Sequence, residues 1–366
     1  MLRVVVGCSV LVSLFPALAC AQTVYEEDIN TSAHYRAEQA RELDAYILAL
    51  KGDKGRLGAA FNPDFSSVRG YESSTRNLRK LFADSIGYPP PGGPISEKPS
   101  FTKMGEDSQG TYYRAMIPVL PGVHAEGIYI VPKGVKGRVP LVISMHGGGG
   151  SPELVVFNGG SNYHDMAHGA VKRGYAVFAP QHLFSAPGYP GDIRNRTDDR
   201  LRLVGTSLTA VEIAKITRSI DVLAKRPEID GKRIAMVGLS YGGYYALVTP
   251  ALDQRIKVSV SSCYFGVQEF RYEGDELSVP SDFRFMDRFT LFRDSEIGAL
   301  ICPRALLIQA GKNDDAPHRD MGIKLAPSVA SYYDRLGIAD RFKFVVFDGG
   351  HEFKDATAWE FVARFL

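Results

Sequence analysis

The stretch Arg233-Ile234-Ala235-Met236-Val237-Gly238-Leu239-Ser240-Tyr241-Gly242-Gly243-Tyr244-Tyr245-Ala246-Leu247-Val248 joins two apolar runs through a G-x-S-x-G pentapeptide. The first run reads as a buried strand and the second, rich in small residues, as a helix. The chain must therefore turn sharply at the serine. Glycines at 238 and 242 let the backbone reach such a turn and let strand and helix pack closely. The pattern puts the Ser240 hydroxyl at the apex, at the carboxyl end of a strand.

Working outward, strands and helices alternate. Residues 111–118 and 124–131 read as a β-hairpin, and 140–145 is a continuous apolar run, as in a strand buried on both faces. Further strands are expected at 175–179, 233–238, 256–261, 305–309 and 342–347, and helices at about 161–173, 208–225, 319–336 and 354–366. Repeated β-α-β units require a mostly parallel sheet with helices on both faces, so the expected fold class is α/β. Two stretches, 182–207 and 264–303, fit neither period. Both follow the carboxyl ends of strands, the edge at which open α/β sheets take ligands.

A serine hydroxyl is a poor nucleophile at neutral pH and needs a base within reach, which in turn needs an orienting acid. After Ser240 the chain has two histidines, His318 and His351. His351 lies in the loop Phe347-Asp348-Gly349-Gly350-His351-Glu352-Phe353, just past the last strand, and is the expected base. His318 is read as a surface or supporting residue. The acid is expected in Lys312-Asn313-Asp314-Asp315, past the strand before; Asp314 is favoured, with Asp315 as the alternative. A developing oxyanion needs two fixed N–H donors. The Tyr241 backbone supplies one. The second is expected from His146-Gly147-Gly148-Gly149-Gly150, directly after the apolar strand, with Gly147 and Gly148 as candidates and His146 as a brace. This chemistry asks for no cofactor and no metal.

The bulk properties fit. The chain has 366 residues, 45% apolar and 23% charged, with a formal charge of +2, too small to argue for nucleic acid. Arg3, the apolar run 4–15 and the small residues Ala17, Ala19 and Ala21 read as a leader of about 21 residues, too short to span a bilayer. The protein is thus expected to be secreted or periplasmic, with Cys20 as a less favoured lipid-anchor site and no transmembrane segment. Residues 22–104 read as an N-terminal arm and linker, with helices at 33–50 and 74–86, and 105–366 as the catalytic domain. Cys263 and Cys302 are expected as buried free thiols.

These residues and their order resemble the α/β-hydrolase superfamily. The segment 220–234 leading into the pentapeptide resembles secreted bacterial acetyl xylan esterase-like and dienelactone hydrolase-like proteins. That resemblance implies a Ser-His-Asp esterase acting on a small ester or an acylated saccharide. Ser-Tyr-Gly-Gly at 240–243 also resembles the prolyl oligopeptidase family, which implies a peptidase; the propeller usual there has no counterpart in the residues before the hydrolase region. A non-catalytic protein on a hydrolase fold is the third reading. Arg194, Arg196 and Arg200 in the first insertion are candidates to meet a carboxylate on the substrate, such as a uronic acid. The aromatics of 264–303 read as a small cap's core or as a wall for sugar stacking.

Overall fold

The computed structural model describes residues 24–52, 54–157, 162–189, 192–273 and 279–366. The leader-like residues 1–21, with Cys8 and Cys20, lie outside the described residues. The chain forms two compact units, one ending at Leu50 and the other Lys51–Leu366. The first holds most of the helix Ala33–Gly52.

The second unit is built on a nine-stranded sheet. Its strands are β1 (Ser100–Glu106), β2 (Gly110–Leu120), β3 (Val123–Pro132), β4 (Val139–Met145), β5 (Ala176–Pro180), β6 (Ile229–Leu239), β7 (Ile256–Ser262), β8 (Ala305–Gly311) and β9 (Phe342–Phe347). Their spatial order is β1-β2-β3-β5-β4-β6-β7-β8-β9. The first three run as an antiparallel meander that joins β5 antiparallel, and all pairs from β5 to β9 are parallel. The hairpin β2–β3 is where its sequence pattern put it. β1 is an added edge strand, mostly exposed and without the apolar alternation that would have announced it.

Adjacent residues of the central strands go to opposite faces, as the pleat requires. Leu141, Ile143 and Met145 join one core cluster, with Tyr241, Tyr244 and Tyr245. Val142, Val177, Ala235 and Val237 join the other, with Met166 and Trp359. Helices cover both faces, which is why the central strands carry no polar alternation. Residues 51–104 pack with this body. Tyr71, Leu78 and Phe82 are buried, the Tyr71 hydroxyl donates to the Ala299 carbonyl at 2.8 Å, and Arg79 donates to the Ala251 and Leu300 carbonyls.

The two insertions are more ordered than their sequences suggest. The first contains the helix Ile193–Arg202, capped by Asp192 accepting from Asn195 N. Its buried side chains include Arg194 and Asp198, so its inward face is ionic and no apolar period betrays it. The second contains Val267–Glu273, a short 3-10 turn Ser281–Phe283 and Asp294–Ile301. The helix expected at 161–173 is shorter, Met166–Val171; that at 74–86 is present as Arg76–Ser85, and a further short helix, Val68–Ser74, precedes it.

Connections from β4 run to one side of the sheet and those from β6 to the other. β4 and β6 are neighbours. Where neighbouring strands send the chain in opposite directions, the carboxyl ends are the place at which open α/β sheets take ligands.

Candidate active site

Ser240 closes β6 with φ 56° and ψ −118°. This is a left-handed backbone at a residue with a side chain, and such strain persists only where the surroundings enforce it. Here they do. A methyl on Gly238 would lie 2.2 Å from the Gly242 carbonyl oxygen, and one on Gly242 would lie 2.4 Å from that of Met145. The Ser240 N–H donates to the Ser262 carbonyl at 2.8 Å, tying the turn to the end of β7. Tyr241 begins the helix Tyr241–Leu252, so its N–H sits in the first turn, where the helix supplies no acceptor.

The glycine loop follows β4 and runs beside the serine. A methyl on Gly147 would be 3.3 Å from Ser240 Cβ and 3.3 Å from the Tyr163 hydroxyl. The Gly147 N–H already donates to that hydroxyl at 2.8 Å. Of the two candidate donors in this loop, Gly147 is therefore engaged, and the Gly148 amide has no acceptor among the described residues.

His146 braces the loop, as its position suggested, but it does so with a partner that sequence reading passed over. The His146 and His182 rings stack with centroids 3.6 Å apart. The His182 N–H and Gln181 Nε2 both approach His146 Nε2, at 3.3 and 3.1 Å. With Nε2 accepting, Nδ1–H donates to the Gly147 carbonyl at 2.8 Å. His182 Nε2–H in turn donates to the His146 carbonyl at 2.6 Å. Burial pushes His146 down to about 4 and His182 well below the ordinary histidine value, so both are neutral at physiological pH. His182 lies just past β5, and that position at a strand's carboxyl end was the available signal.

Asp314 and His351 come together. His351 Nδ1 donates to Asp314 Oδ2 at 2.8 Å. Burial would raise the Asp314 carboxyl, but the hydrogen bond and charge of His351, then the charge of His318, outweigh it and hold it below its ordinary value. Asp315 is exposed and pairs with His318 Nδ1. The geometry thus separates the two aspartates. His318 is more than a surface residue: its ring stands edge-on to His351 at 4.5 Å, and its Nδ1 is 3.7 Å from Asp314 Oδ1. The His351 loop is held from behind. Asn162 Nδ2 donates to the His351 carbonyl at 3.2 Å, and His164 pairs with Glu352 at 2.6 Å. The Cys263 thiol donates to the Glu352 carbonyl at 3.4 Å.

The three candidate arginines do not converge. Arg194 is buried, with Nε 3.4 Å from Asp282 Oδ1 and its guanidinium over the Phe184, Tyr241 and Phe283 rings. Arg196 and Arg200 are exposed and share a different face of the helix, because positions two apart diverge and positions four apart align. Arg194 thus lies buried beside the Asp282 carboxylate, apart from the exposed Arg196 and Arg200. The aromatics of the second insertion are mostly core. Tyr264, Phe265, Phe283, Phe285 and Phe292 are buried, with Phe283 packed edge-on against Tyr244 at 4.6 Å.

Cys263 and Cys302 are free and buried, at the carboxyl end of β7 and before the start of β8. Among the described residues, no helix is long and apolar enough to cross a membrane.

The dienelactone hydrolase family model matches residues 126–281, a stretch that holds the glycine loop and Ser240. A candidate hydrolase of Bacillus subtilis, YtaP, is 28% identical over 261 residues, covering 66% of this chain and 82% of that protein. A candidate acetyl xylan esterase of Bacteroides fragilis superposes with a TM-score of 0.64 at 17% identity, covering 80% of each chain. A glucuronoyl esterase from Solibacter usitatus does so at 0.58 and 13%, covering 81% of this chain and 94% of its own. The parallel sheet and the solved structures that superpose on it give the chain the α/β-hydrolase fold, with the strained Ser240 at the end of β6, and residues 126–281 are similar to the dienelactone hydrolase family.

Proposed function

We propose that this chain is a serine esterase in which Ser240, His351 and Asp314 carry the reaction, and that its substrates are acylated carbohydrates. The observation that carries the reading is the Asp314–His351 hydrogen bond of 2.8 Å, on the sheet edge that also presents the strained Ser240. With Nδ1–H held by Asp314, His351 offers Nε2 as base. Ser240 Oγ attacks the ester carbonyl while Nε2 takes its proton. The tetrahedral oxyanion is held by the Tyr241 and Gly148 amides. The imidazolium then protonates the leaving alcohol as the C–O bond breaks, leaving an acyl-serine. Water, deprotonated by the same histidine, releases the acid and restores the serine.

A carbohydrate ester is favoured by the esterases among the fold neighbours, which include one described as acting on xylan acetyl groups and one on glucuronoyl esters. Arg196 and Arg200 are the arginines available to a substrate carboxylate. The leader-like first 21 residues fit an exported enzyme.

The test compares the wild type with Ser240→Ala on p-nitrophenyl acetate, acetylated xylo-oligosaccharides and short proline-containing peptides. Ester hydrolysis is expected, falling by about 10^4-fold or more in the variant. An unimpaired variant, or selective cleavage of the peptides, would overturn the reading.

A further inference from the structure

Tyr241 works at two levels of the fold. Its main chain opens the nucleophile helix, while its side chain reaches under the two insertions and is buried there. The hydroxyl donates to Asp282 Oδ2 at 2.5 Å and accepts from the Tyr245 hydroxyl at 3.0 Å. Asp282 is fully buried and fixed from several sides. Its carbonyl accepts from Thr209 Oγ1 at 2.6 Å, and its other carboxylate oxygen faces Arg194 Nε. The preceding residue, Ser281, is bonded through N and Oγ to Asn195, and its carbonyl accepts from Arg202 at 2.8 Å. The two insertions are therefore one cap, and its polar seam ends on the side chain that follows the nucleophile.

The same seam reaches the other oxyanion donor. The Arg194 guanidinium lies 4.5 Å over the Phe184 ring. A methyl on Gly148 would come within 2.7 Å of that ring, so Phe184 covers the glycine loop. A buried carboxylate is an expensive way to join two loops, since apolar residues of similar shape often serve stability better. Its placement on Tyr241 gives it a use that packing alone would not.

Resting on the esterase reading above, we propose that Asp282 is a positioning residue for the oxyanion hole. By accepting the Tyr241 hydroxyl it clamps the residue whose amide receives the oxyanion, so the cap sets the rate of acyl transfer. The contribution belongs to the transition state and not to ground-state binding. Misplacing a donor by a fraction of an ångström is enough to act on kcat.

The experiment uses the full chain with Asp282→Ala, Asp282→Asn, Tyr241→Phe and Ser240→Ala. It measures kcat and KM on p-nitrophenyl acetate and inhibition by phenylboronic acid, whose tetrahedral adduct on Ser240 places an oxygen where the oxyanion sits. Asp282→Ala and Tyr241→Phe are expected to lower kcat by about 10- to 100-fold with KM within about threefold. Boronate affinity should fall by the same factor, and Asp282→Asn, which keeps an acceptor oxygen, should recover most of the loss. A shift in KM alone, or lost kcat with wild-type boronate affinity, would overturn the proposal. Should Asp282→Ala fail to fold by circular dichroism, Tyr241→Phe and Asp282→Asn decide the matter. An active Ser240→Ala sinks the esterase reading itself, whereas an inactive one beside a fully active Tyr241→Phe sinks only the role of Asp282.

Discussion

Two buried carboxylates, one on the β8–β9 edge and one in the cap, are held in opposite senses. Asp314 is kept below its ordinary value because His351 hydrogen-bonds it and adds favourable charge that outweighs burial. Asp282 is pushed up to about 6 because burial outweighs Arg194 and the Tyr241 hydroxyl. The difference is one of burial and of donor. Asp314 is the less deeply buried and takes a ring N–H at 2.8 Å, whereas Asp282 is fully buried, takes its hydrogen bond from the neutral Tyr241 hydroxyl at 2.5 Å, and has an Arg194 Nε at 3.4 Å that makes no hydrogen bond. The edge region keeps an anion ready to steer a histidine. The cap region tolerates one as part of a structural seam.

Asp314→Asn should break the edge region most severely. The amide can donate to His351 Nδ1 and so favours the wrong tautomer, for an expected loss of about 10^4-fold in kcat on p-nitrophenyl acetate. Asp315→Asn, which alters only an exposed partner of His318, should stay within about threefold of wild type. Equal losses would mean that the two aspartates act together and that the separation drawn above is wrong.

In the cap, the largest effect belongs to Arg288. Its guanidinium is buried with Glu269 Oε1 at 3.0 Å and Asp294 Oδ1 at 2.6 Å, and it also donates to the Phe292 carbonyl. Arg288→Met leaves two buried acids without their cation, and a loss of about 3–5 kcal/mol in urea unfolding is expected. A smaller loss, with the ester activity intact, would show the second insertion to be dispensable.

Asp282 gives a finer contrast through pH. Its value in the folded protein is about 6, against an ordinary 3.8, so the folded state favours the protonated carboxyl. That stabilisation is present below about pH 4 and is lost as pH rises through about 6. The wild type should therefore lose on the order of 3 kcal/mol across this window relative to Asp282→Asn, which does not titrate there. Urea unfolding of both at pH 4 and pH 7.5 measures the difference. A gap of the opposite sign would show Arg194 to be the stronger influence on Asp282.

The same contrast explains what sequence could reveal. Ser240, Asp314 and His351 each stand at the carboxyl end of an apolar strand, where alternation of strand and helix already says which edge they share. Only the choice between Asp314 and Asp315 needed coordinates, because adjacent residues in a turn point apart. The cap was opaque for a physical reason. Helix Ile193–Arg202 buries charges, so it has no apolar stripe, and its partners lie far along the chain: Asn195 meets Ser281 at a separation of 86 residues. The Tyr163–Gly147 and His182–His146 contacts were hidden likewise, since a loop's packing against another loop leaves no period to read.

Cys263 offers the smallest and last test, because it touches the edge region without belonging to its chemistry. Its φ of 52° and the bond from its N–H to the Gln309 carbonyl at 2.8 Å aim the thiol at the back of the His351 loop. Burial, and then the charge of Asp314, push that thiol up to about 12; burial does the same to Cys302. At pH 8 only about one molecule in 10^4 would carry a thiolate at either site. Iodoacetamide on the native protein should therefore leave both peptides unmodified in a digest, and modify both after unfolding. Cys263→Ala removes one weak S–H donor and should cost about 1 kcal/mol and less than about tenfold in kcat. A loss approaching that of Asp314→Asn would mean that the hold on the His351 backbone, more than the Asp314 charge, sets the geometry of the edge.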